Sequence, residues 1–295
     1  MSDQAAIEVF ELAEILHHPQ VVVLDCRYDL AEPHAGEQRF REGHIPGARY
    51  ASLHRDLSAP VGRYGGRHPL PDPRQFQAFA RRAGIFRDTR VIVYDDQRLA
   101  FAARAWWLLR YFGHEKVSVL NGGLRAWRES GLPQESGDGT ATEQSGNLTC
   151  RPRRHLVIDY GPLHRGLENP PWQLIDARDT ERFLGIEEPI DPIAGHIPTA
   201  INKPWQCVTD ENGRLKSREE LAGNWRDIPA DEQLVNYCGS GVTACVNLLS
   251  LHLIGRTNAL LYAGSWSDWC AHILHPDNSD QSTPTSEAEP LAVDH

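Results

Sequence analysis

The residues best suited to chemistry in this 295-residue chain lie in one stretch, Leu234-Val235-Asn236-Tyr237-Cys238-Gly239-Ser240-Gly241-Val242-Thr243-Ala244-Cys245. An apolar, strand-like run stops at Cys238, and a short loop follows with a glycine on either side of Ser240. Gly239 and Gly241 can take positive φ at little steric cost, which lets successive backbone N–H groups turn inward as a concave anion site around the sulfur. Val242, Val246, Leu249 and Leu253 recur at near-helical spacing and predict a helix over 242–254. Its positive end faces Cys238, so a thiolate there is stabilised and the cysteine is a candidate nucleophile. The plain alternative is a small apolar residue at a strand end, as free cysteines often are. A cysteine phosphatase also cradles a thiolate in amides, but it needs an arginine six residues on to grip phosphate bidentately. Ala244 stands there.

The elements that must position this loop appear twice. Val21-Val22-Val23-Leu24-Asp25-Cys26-Arg27 is echoed by Trp172-Gln173-Leu174-Ile175-Asp176-Ala177-Arg178, and Gly43-His44-Ile45-Pro46 by Gly195-His196-Ile197-Pro198. Arg90-Val91-Ile92-Val93-Tyr94-Asp95 matches Gln233-Leu234-Val235-Asn236-Tyr237-Cys238, and Leu120-Asn121-Gly122-Gly123-Leu124 precedes a tryptophan much as Tyr262-Ala263-Gly264-Ser265-Trp266 does. Four landmarks recurring in order make the chain two copies of one unit. The β-branched runs at 21–25 and 91–95 read as strands buried on both faces, 117–120 as a further strand, and 73–83 and 101–112 as helices. Such alternation predicts an α/β fold with mainly parallel sheets flanked by helices, whose sites lie at the carboxyl ends of strands. Cys238 holds such an end in the second copy, and Asp95 holds it in the first. The expected division is 1–135 for the first domain, 136–155 for a linker rich in Gly, Ser, Thr and Gln, 156–275 for the second domain, and 276–295 for an acidic tail.

Bulk properties narrow the function classes. A net charge of −10 argues against a nucleic-acid or anionic-membrane surface. No apolar run approaches the ~20 residues that cross a bilayer, and residues 1–11 have no basic region followed by a long apolar core, so a cytoplasmic protein is expected. The six cysteines, at 26, 150, 207, 238, 245 and 270, show no C-x-x-C pair and no zinc-like spacing with histidine, so neither a metal nor a disulfide framework is expected. Cys245, two turns along the helix from Cys238, reads as a core residue.

The paired Gly-His-Ile-Pro motifs, the Asn-Gly-Gly and Gly-Ser-Trp turns and the Cys-Gly-Ser-Gly-Val-Thr loop together resemble the two-domain rhodanese-like sulfurtransferases, within them the mercaptopyruvate sulfurtransferase branch. The resemblance implies tandem rhodanese-like domains, of which only the second is catalytic. A carboxylate such as Asp95 cannot accept a sulfane sulfur. It further implies a Cys238 persulfide, formed from 3-mercaptopyruvate and discharged to cyanide, a thiol or thioredoxin, with no cofactor. The amides of Gly239, Gly241, Val242 and Thr243 would hold thiolate and persulfide. Thiosulfate is the alternative donor, and a non-catalytic persulfide carrier is the alternative role.

In the mercaptopyruvate branch the loop serine is linked to a histidine and an aspartate of the first domain, and the matching residues are Ser240, His68 and Asp56. A hydroxyl polarised by an oriented imidazole can pass a proton at neutral pH. Without the resemblance, His68 is a turn histidine beside Pro69 and Asp56 a surface carboxylate. Arg182 matches the first of two arginines that grip the donor's carboxylate, while the second falls at Ile190 and is missing; Arg63, Arg67 and Arg104 are candidates to replace it. His44, His196 and the Asp25/Arg27 and Asp176/Arg178 pairs recur in both copies, reactive and unreactive alike, and are therefore expected to be structural. Trp266 is read as a pocket wall or a core residue.

Overall fold

The computed structural model describes residues 4–139 and 144–276. The acidic tail expected over 276–295 thus lies, apart from Pro276, outside the described residues. Two sheets are formed. The first contains β1 (Ala6–Ile7), β2 (Val21–Asp25), β3 (Arg49–Tyr50), β4 (Arg90–Tyr94) and β5 (Val117–Leu120) in the order β1-β5-β4-β2-β3, all parallel. The second contains β6 (Gln173–Asp176), β7 (Ile201–Asn202), β8 (Leu234–Tyr237) and β9 (Leu260–Leu261) in the order β7-β6-β8-β9, again parallel. β4 and β8 are interior strands, buried through their apolar residues on both faces, and they deliver Asp95 and Cys238 to equivalent places.

The helix expected over 73–83 is Pro73–Arg82. The Asp72 carboxylate accepts from Arg74 N–H at 2.8 Å, and the proline occupies the first turn, where its missing N–H costs nothing. The helix expected over 242–254 is Ala244–Leu253. It starts two residues later than the apolar spacing suggests because Val242 stays in the loop and Thr243 serves as its N-cap.

The residues repeated in both copies do the same structural work twice. Arg27 Nη2 donates to Asp25 Oδ2 at 2.7 Å and to Gly43 O at 2.8 Å, and Arg178 Nη2 donates to Asp176 Oδ2 at 2.7 Å and to Gly195 O at 2.6 Å. Nδ1 of His44 and of His196 lies 2.8 and 2.7 Å from the Phe40 and Phe183 carbonyl oxygens. Each pair ties the end of a strand to the Gly-His-Ile-Pro turn, as a structural role requires.

Among the described residues one of three buried apolar clusters spans both halves, and each half has a further cluster of its own. The helix Ala102–Tyr111 packs on Ala244–Leu253, and Phe101, Trp106 and Trp107 join Cys245, Leu248 and Leu249 in a continuous buried cluster. The segment 59–70 of the first half lies over the second: Gly65 N–H donates to Asp268 Oδ1 at 2.7 Å and Arg67 N–H to Ser267 Oγ at 3.1 Å. Gly66, at φ 76°, approaches so closely that a Cβ there would stand 2.3 Å from Gly264 O. Beyond the first sheet the chain runs back along the first domain, with Gly146 N–H donating to Arg81 O and Arg151 N–H to Phe112 O.

Asp95 shows what the strand-to-helix junction is built to hold. Its carboxylate accepts four backbone N–H groups, from Gln97 and Leu99 on Oδ1 and from Phe101 and Ala102 on Oδ2, at 2.9–3.0 Å. Burial raises its pKa above the ordinary carboxylate value, against the opposing pull of those amides. Asp95→Ala would leave four backbone donors unpaired, three of them buried, and at ~1–3 kcal/mol for each buried group should cost at least about 3 kcal/mol. A denaturant midpoint unchanged from wild type would contradict this account of the first domain.

Candidate active site

Cys238 is 2% exposed at the floor of a cleft of about 530 Å3 between the two halves. Three contacts from the Gly264-Ser265-Trp266-Ser267 turn fix its backbone. Ser265 Oγ accepts the Cys238 N–H at 3.1 Å, Trp266 N–H donates to Cys238 O at 2.9 Å, and Ser267 N–H donates to Gly239 O at 3.0 Å. Ser265 holds this post at φ 58°, an uncommon conformation for a residue with a side chain, and its hydroxyl donates to Tyr262 O. Gly241 N–H donates to the Cys238 sulfur at 3.2 Å. Gly241 is at φ 74°, and a Cβ would meet Ala263 O at 2.3 Å, so only glycine fits. Gly239 needs no positive φ, contrary to the expectation from its residue type. A Cβ there would stand 2.9 Å from the tip of the flexible Arg67 side chain, which would have to shift to admit it.

Ser240, His68 and Asp56 are all buried, but they do not form a chain of three. Ser240 Oγ and His68 Nδ1 are 2.8 Å apart, a hydrogen bond that joins the two halves of the molecule at the cleft. Asp56 is not part of it. Its Oδ2 accepts Ser52 N–H at 3.0 Å, Arg55 lies on the same oxygen, and Arg82 donates to Oδ1 at 3.2 Å, so both carboxylate oxygens are taken up by these groups. His54 is the ring that packs edge-on against His68, centroids 5.9 Å apart, and its own Nδ1 bonds the Tyr28 hydroxyl.

Arg182 lines the cleft that also holds Cys238, but it is not free. Its guanidinium donates to Glu188 Oε1 at 2.7 Å and to Asp191 Oδ2 at 2.9 Å, and Arg178 Nη1 reaches the same Glu188 at 3.1 Å. Ile190 sits at the rim with its side chain half exposed. Arg67 pairs with Asp191 Oδ1 from the other domain. Arg104, a second candidate for the missing arginine, is wholly buried, donating from Nη1 to Gly241 O at 3.0 Å and from Nη2 to His68 O at 3.2 Å, so it braces the backbone instead. Trp266 is a core residue; its Nε1–H donates to Ile193 O, and Arg178 stacks over its ring.

Comparison with known proteins decides the kinship. The rhodanese-like domain model matches residues 8–130 and again 160–272. The chain belongs to the rhodanese-like family. A Pseudomonas aeruginosa protein named "Probable 3-mercaptopyruvate sulfurtransferase" is 44% identical over 94% of this chain and 98% of its own length. The Gallus gallus thiosulfate sulfurtransferase is 34% identical over 84% and 85%. The crystal structure of SseA, an Escherichia coli 3-mercaptopyruvate sulfotransferase, superposes with a TM-score of 0.77 at 33% identity, covering 90% of this chain and 99% of that one.

This rhodanese-like protein is therefore a sulfurtransferase, and its two copies explain each other. The first fills its amide cradle with a carboxylate from its own strand end; the second puts a sulfur there. Among the described residues no three metal-binding side chains gather at one point. Cys245, in the first turn of the helix Ala244–Leu253, is kept a neutral thiol because burial pushes it up to about 12, with Arg104 only partly offsetting this.

The charge state of His68 follows from the same burial. Desolvation, then Arg104, Arg67 and His54, push its pKa down to about 3, so the imidazole that meets Ser240 is neutral. The unfolded chain, with an imidazole near 6.5, takes up that proton first. The stability tied to His68 is thus fully present above about pH 6.5 and is lost as the pH falls toward 3. Nitrogen-15 shifts of the His68 ring should remain those of a neutral imidazole at pH 5, where exposed histidines have titrated. A midpoint near 6.5 for His68 would contradict the buried, cation-flanked site.

Proposed function

We propose that the protein transfers sulfur from 3-mercaptopyruvate to a thiophilic acceptor through a persulfide on Cys238. The observation that carries this reading is the Ser240–His68 hydrogen bond in a cleft whose nucleophilic loop has no cation of its own. The Cys238 thiolate attacks the donor's sulfur, the S–C3 bond breaks, and its electron pair goes into the enolate of pyruvate. The proton of the donor thiol must leave sulfur, and a proton must reach C3. A hydroxyl bonded to a neutral imidazole can accept the one and deliver the other, so that the products are pyruvate and the Cys238 persulfide anion.

The second half-reaction returns the enzyme. An acceptor such as cyanide, a small thiol or reduced thioredoxin attacks the outer sulfur, the S–S bond breaks with its electrons on Cys238, and the acceptor leaves carrying one sulfur. Gly241 N–H is on the Cys238 sulfur, and the amides of Val242 and Thr243 come just before the helix Ala244–Leu253, the positive end of whose dipole begins there. Such preset dipoles support both thiolate and persulfide without reorganising. Arg104, buried and unpaired with any carboxylate among the described residues, adds positive potential beside them.

Thiosulfate is the rival donor. Arg67 and Arg182, the two guanidiniums beside Gly239, are both paired with carboxylates, which lowers the positive potential offered to a small dianion at that point of the cleft and favours the monoanionic mercaptopyruvate. The six free cysteines suit a reducing compartment such as the cytoplasm.

Incubation with 3-mercaptopyruvate alone should add one sulfur to the intact chain, localised to the Cys238 peptide, and release one equivalent of pyruvate. Cys238→Ser should do neither while keeping the wild-type unfolding midpoint. Pyruvate release that continues in Cys238→Ser would refute the assignment. Steady turnover on adding cyanide separates an enzyme from a carrier, which loads once and stops.

A further inference from the structure

The carboxylate that bridges Arg67 and Arg182 is unusual in its placement. Asp191 has one oxygen on each guanidinium, Oδ1 on Arg67 of the first domain and Oδ2 on Arg182 of the second, and its side chain is buried. Both guanidiniums lie against Gly239, the residue after the nucleophile: a Cβ built there would stand 2.9 Å from Arg67 Nη2 and 3.5 Å from Arg182 Nη1 and Nη2. Both also line the cleft that exposes Cys238. A carboxylate held between two arginines from opposite walls, one residue from the reacting sulfur, occupies the position in which a donor's carboxylate would be gripped.

We propose that Arg67 is the second arginine of the donor clamp and that Asp191 is its internal plug, a carboxylate that holds the two guanidiniums in place until the donor's carboxylate displaces it. This rests on the mercaptopyruvate reading above and assigns the residue that stands in for the arginine missing at Ile190. Arg182 keeps its second partner, Glu188, through the exchange and so stays oriented. Arg67 depends more on the bridge: its side chain is about a third exposed, and Asp191 is the carboxylate that anchors it. The donor's carboxylate takes over both guanidiniums, so no arginine is left uncompensated, and the displaced Asp191 carboxyl, whose pKa burial already raises against the pull of the two arginines, takes up a proton or turns toward water. The clamp takes one arginine from each domain, which makes donor binding a property of the assembled cleft.

The test compares two donors, 3-mercaptopyruvate and mercaptoacetone, which keeps the ketone and thiol but lacks the carboxylate. Loading of Cys238 by wild type with 3-mercaptopyruvate is read first by mass, and its absence would end the mercaptopyruvate reading itself rather than the clamp. Given loading, Arg67→Met should raise the ratio of KM for 3-mercaptopyruvate to KM for mercaptoacetone by about 10- to 100-fold, the range expected for a lost charge-assisted contact. Asp191→Asn, of nearly the same shape, should lower KM for 3-mercaptopyruvate several-fold, because the clamp is then unplugged. An unchanged ratio in Arg67→Met would overturn the assignment of Arg67, and a raised KM for 3-mercaptopyruvate in Asp191→Asn would overturn the plug.

Discussion

One buried guanidinium ties the two halves of the site together. Arg104 projects from the helix Ala102–Tyr111 of the first domain and donates to the carbonyls of Gly241 and His68, so the loop that follows Cys238 and the segment that carries the imidazole are fixed to the same side chain. Burial lowers its pKa, and no carboxylate is among the groups that offset this. Removing this cation would free two backbone carbonyls in the interior and let Ser240 and His68 drift apart, although neither of those side chains touches it. The packing of Ala102–Tyr111 on Ala244–Leu253 exists in the service of the same register.

The duplicated architecture separates scaffold from chemistry. Each copy has an interior strand that ends beneath a loop of inward-facing amides, and each ties its sheet to a Gly-His-Ile-Pro turn through an Asp/Arg pair. The first domain saturates its amides with Asp95, which converts a reactive position into an internal support. It then contributes to the second domain's cleft through residues that have no counterpart role in its own: His68, Arg67 and Arg104. The site is therefore a product of the pair of domains.

Much of this was legible in the sequence, and the exceptions share a cause. The repeat located both sheets and both strand ends, and the loop from Cys238 to Thr243 announced a cradled sulfur. The family resemblance led to Ser240 and His68, 172 residues apart, which the structure brings to hydrogen-bonding distance. Asp56 could not be judged in the same way, because its carboxylate is contested by Arg55 and by Arg82 from a helix later in the chain, and such competition is settled only by packing. Likewise Arg182 stands at the matching position, yet nothing local says that Glu188 and Asp191 fold back onto it. Arg104 is offered by the sequence as a candidate grip on the donor's carboxylate, because its real partners are backbone carbonyls that carry no sequence signal. Ser265 shares that fate, because a positive φ at a serine is invisible in residue type.

The central claim is that Ser240, held by a neutral His68, serves the proton transfers that a mercaptopyruvate donor requires and a thiosulfate donor does not. The most direct measurement is kcat/KM for 3-mercaptopyruvate and for thiosulfate, side by side with cyanide as acceptor, on wild type and on Ser240→Ala. The account predicts a strong preference for 3-mercaptopyruvate that collapses in the variant by about 100-fold or more, within the span of general acid–base catalysis, with thiosulfate little affected. A wild-type preference for thiosulfate, indifferent to Ser240, would contradict it.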